Sequence, residues 1–172
     1  MKWRARIFLG LLFTFAVCAC AQLSPQGREV KQQAEVREYW VDPSTGLMWA
    51  GKDNGKDVTW PEANKYCHDM RLAGYSDWRL ATIDELQGIY DPAAEALGRV
   101  SSQTGRPLRF HVKGNLFLTG DQWSSTRRND DRGRPIGFAW RFDFNNGVRF
   151  GYDHLGYSRL KRALCVRQSG ER

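Results

Sequence analysis

Histidine is scarce in this 172-residue chain, three in all, and none falls in a pattern that chemistry uses. His68, His111 and His154 are scattered along the sequence, each suited to a surface or hydrogen-bonded role. No His-Glu-x-x-His run supplies a metalloprotease helix, and no Gly-x-Ser-x-Gly supplies a nucleophile elbow. The neighbouring acids Asp84 and Glu85 do not replace them. Adjacent residues on a helix diverge in direction, and both fit first-turn positions that favour the helix dipole. The sequence therefore predicts a protein that is not an enzyme. Long apolar runs are missing too. The stretch from Ile7 to Val17 is too short to span a bilayer comfortably and has no stop-transfer flank.

That short stretch has another reading. Lys2, Arg4 and Arg6 precede it as a positive n-region, so residues 1–21 read as an export signal. Its end has two solutions. Ala19-Cys20-Ala21 fits a small-x-small cleavage site that leaves Gln22 first, whereas Val17-Cys18-Ala19-Cys20 resembles a bacterial lipobox with Cys20 as the lipidated residue. Either solution places the protein outside the cytoplasm, in the periplasm or at the outer membrane, with the cell surface open to it. The membrane would be contacted only through a lipid on Cys20.

Cysteine is also sparse, with four in the chain, and either cut leaves Cys67 and Cys165 as the unlipidated pair. Outside the cytoplasm such a pair can persist as a disulfide, the alternative being two buried free thiols. A bridge would tie the two ends of the domain together.

Charge is the next constraint. The formal net charge of +7 falls to about +4 once Lys2, Arg4 and Arg6 are removed. Basic residues gather in the last third, as Arg127, Arg128, Arg132, Arg134, Arg141, Arg149, Arg159, Lys161, Arg162 and Arg167. The bias favours an anionic partner, and export argues against nucleic acid. A solvated, solubilising face would look the same. Seven tryptophans, nine phenylalanines and six tyrosines favour a rigid aromatic core in one domain of about 150 residues.

Four segments follow: the signal at 1–21, a polar tether at 22–38, a folded domain at 39–168 and a tail at 169–172. Tyr39-Trp40-Val41 and Leu47-Met48-Trp49 flank the turn-rich Asp42-Pro43-Ser44-Thr45-Gly46, which predicts a hairpin. Thr59-Trp60-Pro61-Glu62 opens a helix that stacks Ala63, Tyr66, Cys67 and Met70 on one face, with Gly74 as its stop. Trp78-Arg79-Leu80 reads as a short strand. Thr82-Ile83-Asp84-Glu85 repeats the capping grammar for a second helix, ended by Asp91-Pro92.

Residues 91–122 lack periodicity and read as a long irregular loop. Trp123-Ser124-Ser125 then begins a sheet. Phe138, Trp140, Phe142 and Phe144 alternate with polar positions, Asn145-Asn146-Gly147 suggests a two-residue hairpin loop, and Val148, Phe150 and Tyr152 continue the alternation. Residues 163–167 form a last strand carrying Cys165. The order predicts an α+β fold, two helices beside an antiparallel sheet.

These residues carry a family resemblance. Asp42-Pro43-Ser44-Thr45-Gly46-Leu47-Met48-Trp49, then Trp60, Ala63 and Tyr66-Cys67, are followed by Gly74-Tyr75-Ser76-Asp77-Trp78-Arg79-Leu80-Ala81-Thr82 and Glu85-Leu86. Trp123-Ser124-Ser125 and Ala163-Leu164-Cys165-Val166-Arg167 complete the set. Over about residues 39–168 the sequence resembles the Lcl C-terminal domain family, named from the end domain of a bacterial collagen-like adhesin. The resemblance implies a C-type-lectin-like fold with a disulfide from the helix cysteine Cys67 to Cys165 in the final strand. Ala81 departs from the proline the family usually carries there, at some cost in loop rigidity. No Gly-X-Y tract accompanies the domain, so collagen-based multivalency does not carry over.

The founding adhesin domain is associated with sulfated or otherwise anionic polysaccharides, so the resemblance implies glycan recognition. The alternative is a protein-interaction or structural module of the envelope. Arg127, Arg128, Arg132 and Arg134, clustered on an expected loop, with Trp123 nearby, are the candidate ligand-binding residues. Arginine pairs bidentately with sulfate or carboxylate. Asp130 and Asp131 interleave and blunt the local field. Calcium-using lectins of this fold carry a Glu-Pro-Asn-type or Gln-Pro-Asp-type triplet and a Trp-Asn-Asp triplet, and neither appears. No cofactor is expected; calcium is not predicted. The formylglycine-generating oxidases related to this fold need further reactive cysteines, which this pair cannot supply once bridged.

Overall fold

The computed structural model describes residues 37–102 and 104–170. The export signal, Cys20 and the tether up to residue 36 lie outside the described residues. Two four-stranded sheets, a two-stranded hairpin and two helices make up the fold, which is α+β with a predominance of strands.

The chain begins with β1 (Tyr39–Val41) and β2 (Leu47–Ala50), antiparallel, with Trp40 opposite Trp49. Asp42 makes the turn. Its carboxylate accepts from the Ser44 amide at 3.0 Å, the Ser44 hydroxyl at 2.7 Å and the Thr45 hydroxyl at 2.9 Å, while Gly46 supplies φ +68°. This is why Asp-Pro-Ser-Thr-Gly folds back so tightly.

Helix α1 (Trp60–Asp69) starts where expected. The Glu62 carboxylate accepts the Thr59 amide and hydroxyl, each at 2.7 Å, and Ala63 and Cys67 face the core. It stops at Asp69, five residues before Gly74, because Met70 is extended with ψ 136°. Gly74 instead serves a tight turn with Ala73, both at positive φ, closed by hydrogen bonds between Leu72 and Tyr75. Strand β3 (Arg79–Leu80) leads to α2 (Ile83–Gly88), which buries Ile83 and Leu86.

The segment expected to be irregular is more ordered than its sequence suggests. It contains an antiparallel hairpin, β4 (Ala96–Val100) with β5 (Pro107–Phe110), and a 3₁₀ turn at Lys113–Asn115. A bulge interrupts the register, and Gly98 lies where a Cβ would sit 2.2 Å from the Leu118 carbonyl oxygen. Bulge and glycine together erase the alternation that announces a strand.

The second sheet has the order β8-β7-β6-β9, built from β6 (Asp121–Asn129), β7 (Pro135–Asp143), β8 (Val148–His154) and β9 (Lys161–Arg162). Its pairs are antiparallel except β6 with β9, which is parallel. The β7–β8 connection is a four-residue loop between the paired Asp143 and Val148, with Gly147 at φ +72°, rather than the two-residue turn Asn-Gly suggests. Its geometry is set by Asp143, whose carboxylate accepts the Asn145 amide at 2.8 Å. The last strand, β10 (Cys165–Gln168), pairs with both β2 and β3 and closes the first sheet.

Two apolar clusters fill the interior. One gathers Trp49, Leu86, Phe110, Phe142, Phe144 and Val166; the other gathers Cys67, Trp78, Leu80, Trp123 and Cys165. Strand β10 serves both, since successive residues point to opposite faces. Cys67 and Cys165 are disulfide-bonded, 98 residues apart in sequence. Closing so long a loop is worth about 4–5 kcal/mol in the chain-entropy picture. In the segment after β2 the buried Asp53 accepts from the Thr119 amide at 2.7 Å, its hydroxyl at 2.9 Å, Gln122 Nε2 at 2.9 Å and the Gly55 amide at 3.0 Å. Burial pushes its carboxyl above the usual range against those four donors.

Two stability predictions follow from the covalent and polar ties. Peptide mapping under non-reducing conditions should recover the Cys67 and Cys165 peptides joined, and separate fragments carrying free thiols would refute the bridge. Glu85 provides the second. It accepts the Thr82 amide at 2.8 Å and grips Arg79 bidentately at 2.8 and 2.6 Å. Burial pushes its pKa up, but Arg79 and Thr82 outweigh that and hold it below the ordinary glutamate value. A depressed carboxylate stabilises the fold above its unfolded pKa, about 4.3, and loses that contribution as pH falls through the folded value. Glu85→Gln should therefore cost about 1–2 kcal/mol at neutral pH, with the deficit shrinking in strong acid, as read by denaturant unfolding.

Candidate functional site

The arginine-rich stretch is the β6–β7 hairpin rather than a free loop. Arg127 and Arg128 are strand residues, and the turn at 130–134 carries Arg132 and Arg134. Asp130 builds that turn. Its Oδ1 accepts from the amides of Arg132 and Arg134, both at 2.9 Å, and its Oδ2 pairs with the Arg134 guanidinium at 2.7–2.8 Å. These bonds hold the Asp130 carboxyl below its usual range, the Arg134 amide contributing most. Arg134 is consumed as a turn clasp. Asp130 thus removes one cation from the cluster instead of blunting all four.

Being neighbours on a strand, Arg127 and Arg128 project to opposite faces of the sheet. The Arg127 guanidinium lies 5.4 Å from the Trp60 ring centroid and donates to the Ile136 carbonyl at 3.1 Å. Arg128 is held between two rings, 5.4 Å from Trp140 and 4.5 Å from Tyr152, and donates to the Tyr152 hydroxyl at 3.1 Å. The neighbouring rings and these hydrogen bonds position both guanidinium groups without a carboxylate. Arg132 is exposed at the turn, and its guanidinium has no ion pair among the described residues.

Trp123 is placed otherwise. It is fully buried in the cluster around the disulfide, and its indole N–H donates to the Val58 carbonyl at 2.9 Å. It supports the hairpin from below and has no surface to offer a ligand. The aromatic groups beside the arginines are Trp60, Trp140 and Tyr152, of which Tyr152 is 72% exposed. Tyr152 was hidden by the expectation that Val148, Phe150 and Tyr152 share a face. A bulge in β8 opposite Trp140 shifts the register by one, so Phe150 meets Arg141 whereas Tyr152 meets Arg128. Gly151 allows this, because a Cβ there would stand 2.9 Å from the Trp140 ring.

Apart from the exposed Arg159, the remaining basic residues of the last third have internal partners. Arg141 pairs with Asp121 and Asp153, Arg149 with Asp84, Lys161 with Asp121, Arg162 with Asp57 and Arg167 with Asp77. Arg162 and Arg167 are buried, and Arg162 also donates to the Thr119 hydroxyl at 2.7 Å, extending the Asp53 network. Most of the basic bias is thus structural. Among the described residues no group of three or more His, Cys, Asp or Glu side chains is arranged to hold a metal ion. His68 closes α1, His111 Nδ1 lies 2.8 Å from the Ala94 carbonyl oxygen, and His154 ends β8, so the three sit on separate elements.

With fold and hairpin in view, the comparisons place the chain in a class. The family model for the Lcl C-terminal domain matches residues 38–167, and the chain belongs to that family. A search of curated proteins finds no match.

Proposed function

We propose that this chain is a non-catalytic carbohydrate-binding domain of C-type-lectin-like fold, exported to the bacterial cell envelope, whose ligand is an anionic polysaccharide. The fold reading is supported by the helix-to-final-strand disulfide and by β1 and β10 lying in one sheet, which brings the domain's ends together. The observation that carries the ligand reading is the uneven pairing of charge. Arg141, Arg149, Lys161, Arg162 and Arg167 are each neutralised by an aspartate, while Arg127, Arg128 and Arg132 on one hairpin are not.

Arg127 and Arg128 each donate from Nη2 within the protein and bury Nε without a partner, so a planar or tetrahedral oxyanion would supply the counter-charge that each lacks. Tyr152 beside Arg128 adds an exposed ring against which a sugar face can stack. Sulfate and carboxylate on a sugar present both features together. Arg127 and Arg128 are half-buried and Arg132 is exposed, so binding should be moderate per unit and gain from repeated units of the polymer. Such an arrangement needs neither metal nor catalytic group.

The test is retention of the purified protein on immobilised sulfated, carboxylated and neutral glycans across a salt series. The wild type should prefer particular polyanions at physiological salt. Arg127→Ala/Arg128→Ala should lose about tenfold in affinity, about 1.4 kcal/mol, with an unchanged melting temperature. Equal retention of the double variant would remove the hairpin from the account. Weak binding lost alike on all polyanions would mean that the exposed charge serves solubility, and would favour a protein partner at the β8 edge.

A further inference from the structure

The sheet face opposite Arg128 carries a different chemistry. Arg141 sits at its centre, with Nη1 donating to Asp121 Oδ2 at 2.7 Å, Nε donating to Asp153, and its guanidinium carbon 3.7 Å from the Phe150 ring centroid. Lys161 reaches the same two carboxylates at 3.5 and 3.9 Å and lies 5.1 Å from the Tyr157 ring centroid. These four charged side chains are 5–20% exposed, so they form a floor. Phe150, 37% exposed, packs against Arg141, and Tyr157, 46% exposed, against Lys161, each keeping part of its ring open to solvent.

The floor is polar and preorganised, two cations against two carboxylates, with Asp143 at its margin. Burial pushes Asp121 upward, with Asp143 adding to it against Arg141 and Lys161, and burial with Arg141 pushes Lys161 downward. An anion brought here would face the two carboxylates, and a cation would face Arg141 and Lys161. An apolar partner would strip water from four charged groups and replace none of its hydrogen bonds. Lys161 is also under-bonded, since its nearest oxygens, on Arg159 and Asp121, are both 3.5 Å away.

A hydroxylated ring avoids each penalty. Every hydroxyl both donates and accepts, so neighbouring hydroxyls can bridge a carboxylate and a guanidinium, while the ring's C–H face covers an aromatic side chain. We propose that this face is a subsite for a neutral hexose unit of a polysaccharide, stacked on Phe150 and Tyr157 and hydrogen-bonded to Asp121, Asp153 and Arg141. It rests on different residues from Arg128 and Tyr152 and lies on the other side of the sheet from them, the side that Arg127 shares through its pairing with Ala139.

The full purified protein should be titrated with uncharged hexa-oligosaccharides of glucose, mannose, galactose and N-acetylglucosamine, read by saturation-transfer NMR and calorimetry. At least one should bind, with little dependence on salt. Tyr157→Ala and Phe150→Ala should each weaken it about tenfold, while Phe150→Tyr retains it. Tyr157 is an exposed turn residue, so its variant should fold normally by circular dichroism. Arg128→Ala should leave neutral binding intact even where it abolishes polyanion binding. Absence of transfer to all four oligosaccharides, or binding indifferent to Tyr157→Ala, would overturn the subsite whatever the outcome on polyanions.

Discussion

The arrangement depends on β10, a four-residue strand between β2 and β3 whose alternate side chains enter both hydrophobic clusters. Cys165 carries the bridge to α1, and Val166 packs with Trp49 and Leu86. A strand so short has little intrinsic stability, and its pairing would be easily lost without a covalent partner. The bridge acts mainly by limiting the unfolded chain, so it keeps the ends of the domain together while the intervening segment varies. The second sheet is connected to the segment that follows β2 by Asp53, which accepts from Gln122 of β6, and by Arg162 of β9, which pairs with Asp57.

That connection explains why the basic residues divide as they do. A cation near the frame must be paired because burial in low dielectric without a counter-charge is costly, and Arg162 with Asp57 shows the solution. On the hairpin Arg127 and Arg128 are half-buried and have no carboxylate partner. Aromatic rings then replace carboxylates in fixing their direction, as Trp140 and Tyr152 do for Arg128.

Much of the frame was legible in the sequence. Capping residues Thr59, Glu62, Thr82 and Glu85, the Asp-Pro-Ser-Thr-Gly turn and the cysteine pair each act through near neighbours or through compartment chemistry. What was hidden depends on register. The β4–β5 hairpin is masked by Gly98 and a bulge, and the β8 bulge separates Tyr152 from Phe150. Trp123 looked like a ligand residue because tryptophan beside arginine fits either a platform or a core. Its indole bond to Val58, 65 residues away, decides for the core, and no local pattern carries that information. Charge pairing is equally nonlocal: Arg162 and Asp57 are 105 residues apart. A count of arginines therefore overstated the free positive surface.

The central claim is that the β6–β7 hairpin, with Tyr152, is where ligand meets protein. Amide chemical-shift mapping during titration with a sulfated oligosaccharide addresses it residue by residue. The account predicts saturable shifts confined to residues 127–134 and 136–140 on the hairpin and to Tyr152 and its strand neighbours. Shifts centred on α1 or the β4–β5 hairpin, with Arg128 and Tyr152 unmoved, would contradict it.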